Sequence, residues 1–302
     1  MDRTTKETYE AAKAQFELAI QLDPNNAAAY AGLADVTHYM GNWSTDVPQL
    51  RLDETGRRLV ARALELDPNL AEAHTSLGSF LWDGFEYEAA EREFKLALSL
   101  NPSFSQAHRW YAGLLEDEGR VDEALVELAL AEGTDPLSIA NLGAFAMLLL
   151  WLGRYDEALA KIQRVGELDS SGRVYHLGMA NYYAYRSDFE RSLRELAKYE
   201  ESNPEPRVRL VNRAQYHALI GEKDEARTYL RQLEALPRTA VQDQNLASTH
   251  ALLGDLDECF QHLEKMIENH LIGFQEWRLD PMLEHVRRDP RFQVLLKKMN
   301  LA

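Results

Sequence analysis

The sequence predicts an all-α solenoid of tandem helix–turn–helix units, and three in-phase patterns carry that prediction. The first is a proline period. An acidic or amide residue precedes proline at Asp23-Pro24, Asp67-Pro68, Asn101-Pro102, Asp135-Pro136 and Asn203-Pro204; the last four prolines are separated by 34, 34 and 68 residues, with Ser170 in the skipped slot. Proline lacks an amide hydrogen and clashes with the preceding turn, so each pair ends one helix and restarts another. The second is a glycine period between those stops. Gly119-Arg120, Gly153-Arg154, Gly221-Glu222 and Gly254-Asp255 each interrupt an apolar-periodic segment, and glycine is the usual residue of a helix C-terminal turn. The third is an alternation of small and large residues. Ala90, Phe94 and Ala97 recur as Ala124, Leu128 and Ala131, then as Ala158, Ile162 and Val165. Spacings of three and four place each trio on one helix face, where small residues admit a neighbouring helix and the large one fills the gap beside it. Leu77-Gly78, Tyr111-Ala112, Phe145-Ala146 and Met179-Ala180 repeat a large–small pair in the preceding helices.

In this register residues 71–104, 105–138, 139–172 and 173–206 resemble four consecutive tetratricopeptide repeat (TPR) units without insertion. The resemblance implies a right-handed superhelical solenoid. A half unit, 1–26, matches only a second helix through Ala12, Phe16, Ala19 and Pro24, and 27–70 matches a whole unit carrying about ten extra residues near Gly41 to Leu50. Residues 207–272 form two degenerate units in which Pro237 falls one place early and Leu271 replaces proline. The segment 273–302 leaves the repeat. Its Asp280-Pro281, its Asp289-Pro290-Arg291-Phe292 and the apolar row Phe292, Leu295, Leu296, Met299 read as a C-terminal capping helix, which a terminal repeat needs over its apolar face. The order of half unit, inserted unit and closing Asp-Pro-Arg-Phe helix resembles the C-terminal TPR regions of bacterial multidomain regulators. In those proteins a winged-helix, nucleotide cyclase or protein kinase domain comes first. That resemblance implies a missing N-terminal output domain and a signalling or transcription-regulatory role. The start within a second helix raises the same expectation, of a chain cut from a longer protein.

Composition narrows the function classes. Lys plus Arg number 33 against 49 Asp plus Glu, a formal charge of -16 with no segregated basic face, which disfavours nucleic acid as a partner. The single cysteine, Cys259, leaves no internal disulfide or Cys-rich metal site. No apolar run reaches about 18 residues and the start is polar, so neither membrane insertion nor a signal peptide is expected. The compartment expected is the cytoplasm, or the periplasm if a membrane span precedes the segment.

No enzyme chemistry is expected. A phosphate loop, a nucleophile elbow and a His-Glu-x-x-His helix are all missing from the sequence, and no cofactor or metal is called for. His74, His108 and His176 share one repeat position, with Leu142 in the intervening slot, so they read as structural. Cys259 takes the place of a packing alanine and reads as buried.

A bound polypeptide is the expected business of the inner face. The resemblance implies that first helices line it, with His38 and Tyr39, then Ser79, Trp82 and Asp83, then Arg109, Glu116 and Asp117. Met147, Trp151, Asn181 and Tyr185 continue the lining. Trp82 and Trp151 are either anchors for a partner or packing between neighbouring helices; Asp83, Glu116 and Asp117 are expected as rim charges that favour a basic or mixed protein or peptide. Only Arg109 and Asn181 match the positions of the chaperone carboxylate clamp of some TPR proteins, and acids beside Arg109 depart from it. The alternative is a small-ligand sensor or a motif-less enzyme with a pocket in the groove. Trp43 and Pro48 mark the inserted loop, either a binding elaboration or a solvated one.

Overall fold

The computed structural model describes residues 6–41, 49–169, 171–203, 205–237, 242–269 and 274–301. Among them every regular element is helical and no β-strand occurs. A lone helix, α1 (Lys6–Leu22), precedes seven helix hairpins: α2 (Ala27–Gly41) with α3 (Gln49–Leu66), α4 (Ala71–Asp83) with α5 (Tyr87–Leu100), and α6 (Ser105–Asp117) with α7 (Val121–Thr134). The remaining pairs are α8 (Ile139–Trp151) with α9 (Tyr155–Leu168), α10 (Arg173–Tyr185) with α11 (Phe189–Ser202), α12 (Pro206–Leu219) with α13 (Lys223–Glu234), and α14 (Gln242–Leu253) with α15 (Leu256–Glu268). The chain then closes with α16 (Gln275–Leu279), a 3-10 turn (Pro281–Leu283), α17 (Glu284–Arg287) and α18 (Pro290–Lys298). Helix breaks fall at Asn101-Pro102, Gly119, Asp135-Pro136 and Gly153, where the sequence puts them. Trp43 and Pro48 of the inserted loop lie outside the described residues.

Each of the six hairpins from α4–α5 to α14–α15 turns through one left-handed residue. Gly119 and Gly153 have φ of 76° and 72°, and the same repeat position is held by Phe85 at 60° and Ser187 at 59°. The amide that follows donates to a carbonyl five residues back: Glu86 to Leu81 at 2.9 Å, Arg120 to Leu115 at 2.8 Å, Asp188 to Tyr183 at 2.9 Å. That bond closes the helix end and requires the left-handed backbone. Phe85 offsets its strain by burial, whereas Ser187 is exposed and offsets little. Ser187→Gly is therefore expected to stabilise the fold by about 1 kcal/mol, read as a higher urea midpoint with an unchanged slope. An unchanged midpoint would mean that Ser187 is not strained.

Within and between hairpins the small–large alternation acts as packing. A β-carbon built at Gly78 would lie 2.9 Å from the Phe94 ring, and one at Gly32 would lie 2.3 Å from Phe16. Glycine on the first helix thus admits the large residue of a second helix. The periodic histidines do more than pack. His74 Nδ1 lies 2.7 Å from Glu93 and Nε2 2.9 Å from the Pro68 carbonyl, and His108 repeats this with Glu127 at 2.6 Å and the Pro102 carbonyl at 3.0 Å. Each ring ties a first helix both to its second helix and to the preceding proline turn. Burial alone would lower the His108 pKa, but the bonds to Glu127 and Pro102 outweigh it and raise it. Cys259 is fully buried, and burial pushes its thiol up to about 12.

First helices touch in series, α2 to α4 to α6 to α8 to α10, and so form the inner layer, with the second helices outside. The superhelix then closes on itself. Besides covering α15, the C-terminal segment packs back onto α6. The largest apolar cluster joins Trp82, Phe94, Leu114 and Leu148 to Leu263, Trp277, Val286 and Phe292. Gln275 Nε2 donates to the Gly113 carbonyl at 3.4 Å, and Asn300 Nδ2 donates to the Phe85 carbonyl at 3.2 Å.

Candidate ligand site on the inner face

The closing segment changes the inner face from an open groove into two cavities that share Met147. One, of about 340 Å³, is lined by His38 and Tyr39 of α2, Ser79 and Trp82 of α4, Arg109, Trp110, Gly113 and Glu116 of α6, Ala144, Met147 and Trp151 of α8, and Gln275 of α16. Positions 109, 113 and 116 are spaced by four and three, so α6 presents them on one face. The other, of about 260 Å³, is bounded by Asn181 and Tyr185 of α10, Asn212 and Gln215 of α12, Ser248 of α14, and Glu276 and Asp280 of the closing segment.

The aromatic walls are held from behind. Trp82 Nε1 donates to Asp117 at 2.7 Å, and its ring lies over Gly113, where an added β-carbon would be 2.6 Å away. Trp151 Nε1 donates to the Tyr185 hydroxyl at 3.0 Å, and that hydroxyl donates to Asp280 at 2.7 Å. With both indole N–H groups engaged, ring carbon is what remains to face a ligand. Tyr39 and Trp110 meet at 6.1 Å between ring centroids and add a second aromatic corner.

The acids are not rim charges. Asp83, Glu116 and Asp117 are 2%, 7% and 2% exposed, so the expectation that they stand as rim charges does not hold. Asp83 lies 3.2 Å from His38 Nδ1 and Asp117 holds Trp82, and neither lines a cavity. Burial, reinforced by the neighbouring Asp117 charge, raises the Glu116 carboxyl to about 8. Asp117 is raised as well, first by burial and against the opposing Trp82 bond. Glu276 is pushed up to about 7, again first by burial, although it accepts from Ser248 at 2.8 Å. Asp35, which accepts from Ser76 at 2.6 Å and Gln106 at 3.2 Å, is raised to about 6 by burial.

Eight of the residues read from sequence meet in the larger cavity: His38, Tyr39, Ser79, Trp82, Arg109, Glu116, Met147 and Trp151. Asn181 and Tyr185 line the smaller one with Met147. Trp82 and Trp151 each pack between helices and also line the larger cavity. Sequence reasoning missed Trp110, one place beyond Arg109, and the whole contribution of Gln275, Glu276 and Asp280. Among the described residues no group of three or more His, Cys, Asp or Glu side chains is placed to hold a metal ion. No described helix is long and apolar enough to cross a membrane.

Comparison with known proteins agrees with the fold. Residues 81–138 match one tetratricopeptide repeat family model and residues 4–26 match another. These two stretches match tetratricopeptide repeats, and the tandem helix hairpins give the chain the all-helical solenoid fold of such proteins. A tetratricopeptide repeat protein from Parabacteroides merdae is similar over 83% of this chain and 93% of its own, at 15% identity and a TM-score of 0.58. PilF of Pseudomonas aeruginosa is similar over 69% of this chain and 90% of its own, at 20% identity and a TM-score of 0.51. Human IFIT1, solved as a dimer with m7Gppp-AAAA, covers 93% of this chain with 68% of its own at 15% identity and a TM-score of 0.64. Identities this low establish a shared fold only. No curated protein matches the sequence.

Proposed function

We propose that this chain is a protein-interaction and regulatory module whose inner face receives a segment of another polypeptide, of basic or mixed charge. The observation that carries the reading is the larger cavity, where aromatic side chains from successive first helices share a wall with the buried Glu116. Aromatic anchors in desolvated pockets supply most of the energy of such contacts. The regulatory part rests on the likeness of repeat order to multidomain regulators, and a partner segment from another domain of the same polypeptide fits it. The second reading, a small-ligand sensor, is favoured by one specific feature: Gln275 and Glu276 of the closing segment wall the cavities from the inside.

A panel of basic and mixed-charge peptides titrated calorimetrically against the chain tests the first reading. For any peptide that binds, Trp82→Ala or Trp151→Ala is expected to weaken affinity by about 2 kcal/mol, with circular dichroism confirming the fold of each variant. Affinity should depend little on salt through Glu116 and Asp117, because buried charges are poorly screened. Undiminished binding in both tryptophan variants would move the partner off the inner face.

A further inference from the structure

Glu116 is the one carboxylate in the wall of the larger cavity. Its side chain is nine-tenths buried, and no hydrogen bond or ion pair to it is found among the described residues. Every other charged group nearby has a counterpart. On α2 and α4, His38 and Asp83 face one another at 3.2 Å. On α6, Asp117 is held by Trp82 and lies in the field of Arg278 from α16. Arg109 lies in the field of Asp35, with its guanidinium over the Trp110 ring at 5.9 Å. The α8 wall, Ala144, Met147 and Trp151, brings no charge. The cavity wall also carries Trp82, Trp110, Trp151 and Tyr39, whose ring faces carry the negative end of an aromatic quadrupole. Arg109 already lies over Trp110, and Tyr9 stacks on Tyr39 at 5.7 Å, which leaves Trp82 and Trp151 to face a ligand.

We propose that this cavity binds an alkylammonium group, seated against Trp82 and Trp151 with the Glu116 carboxylate as its counter-ion. The inference rests on the reading that the inner face is the binding surface, and it names the chemistry of what binds there. A cation completes both unpaired features at once. It neutralises a carboxylate that burial otherwise keeps protonated, and it occupies aromatic faces that attract positive charge more strongly when water is excluded. The Arg109 Nε–H, buried without an acceptor among the described residues, adds a place for one oxygen on the same ligand. The group arrives either on a free amine or on a lysine side chain of a polypeptide, and the cavity volume of about 340 Å³ admits both.

The sign of the pH effect follows from the Glu116 carboxyl lying near 8 in the empty cavity. Below that pH the group is neutral and cation binding must expel a proton; above it the carboxylate is ready-formed. Affinity therefore rises with pH up to that value and levels off beyond it. Alkylammonium ions remain charged over this range.

The test is tryptophan fluorescence and calorimetric titration of the full chain with choline, n-butylammonium and Nα-acetyl-lysine methylamide. Their control is 3,3-dimethylbutan-1-ol, the neutral carbon analogue of choline. At least one cation is expected to bind saturably, choline about tenfold or more tighter than its neutral analogue, with affinity increasing from about pH 6 to about pH 8. Glu116→Gln should abolish the preference for charge and flatten the slope between about pH 7 and about pH 8, any slope below that belonging to Asp117 and Asp35. Binding of the lysine amide alone assigns the group to a polypeptide, and binding of the free amines alone assigns it to a small ligand. Equal binding of choline and its neutral analogue, or binding of no cation, overturns the inference. So does an unchanged charge preference in a Glu116→Gln protein folded by circular dichroism. A peptide weakened by Trp82→Ala yet indifferent to Glu116→Gln would leave the protein-binding reading intact and sink this one alone.

Discussion

Removal of residues 288–302 is expected to leave a chain that no longer unfolds cooperatively and that aggregates on heating. Asp289 accepts from the Arg291 amide as the cap of α18 and Pro290 takes the first helical position, so this short helix is well started for its length. Its face buries Phe292, Leu295, Leu296 and Met299. Phe292 stacks on Phe274 at 5.7 Å, and the Arg291 guanidinium sits 4.3 Å from the centre of the Phe260 ring. Full burial of side chains of this size contributes about 1.5–3 kcal/mol each, against a total stability of ~5–15 kcal/mol for an ordinary domain. Areas taken against an extended chain overstate the gain, yet even half of it is a large share of the whole. Arg291 to Asp257 and Lys298 to Glu264 are exposed pairs and add little. Static light scattering and a thermal melt of the truncated chain check this: a sharp melt at the temperature of the intact chain would show that α18 is dispensable.

What could be read from the sequence divides along a physical line. Hairpin register was legible because proline stops, glycine turns and the alanine–phenylalanine trio all repeat with one period, and local rules suffice to decode each. Phe85 and Ser187 show where this reading stops: both hold the left-handed turn position without being glycine, and only the period identifies them. The cavity walls on α4, α6 and α8 were legible in the same way, since a repeat that fixes register also fixes which face a residue joins. Depth was not. Glu116 and Asp117 look like surface acids on a first helix, and their burial comes from elements far away in sequence, above all Arg278, Gln275 and Trp277 folding back upon α6. No periodic pattern encodes a contact between residues 113 and 275, because it is made once. The only local hint was an acidic pair, Glu276 and Asp280, amid Phe274, Trp277 and Leu279, where a purely apolar cap would have served coverage equally well.

That single contact makes Trp277→Ala the sharper test of how the molecule coheres. The indole is fully buried in the cluster that joins α4–α8 to α14–α18, and among the described residues its Nε1 has no hydrogen-bond partner. It stands there for volume and area, with no polar bond to lose. The Trp277 carbonyl accepts from Arg287 Nη1 at 3.1 Å, and the Asp280 carbonyl accepts from the same atom at 2.8 Å, so the backbone around it is anchored independently. Truncation to alanine is expected to cost about 3–5 kcal/mol, the range for large aromatic cavities. The distribution of that loss matters more than its size. In an open solenoid each repeat contacts only its neighbours, and damage near residue 277 would be felt in α14, α15 and α18 but not in α4 or α6. Here the closing segment bridges α14 and α15 to α6, so amide protons of α6 should exchange faster in the variant together with those of α14 and α15. Hydrogen exchange followed by mass spectrometry reads both regions at once. Loss of protection confined to α14–α18 would mean that the superhelix is closed by geometry without energetic coupling; the cavity behind Trp82 and Glu116 would then keep its shape when the C-terminal segment loosens. Loss shared with α6 would make the integrity of that cavity depend on the segment that closes it.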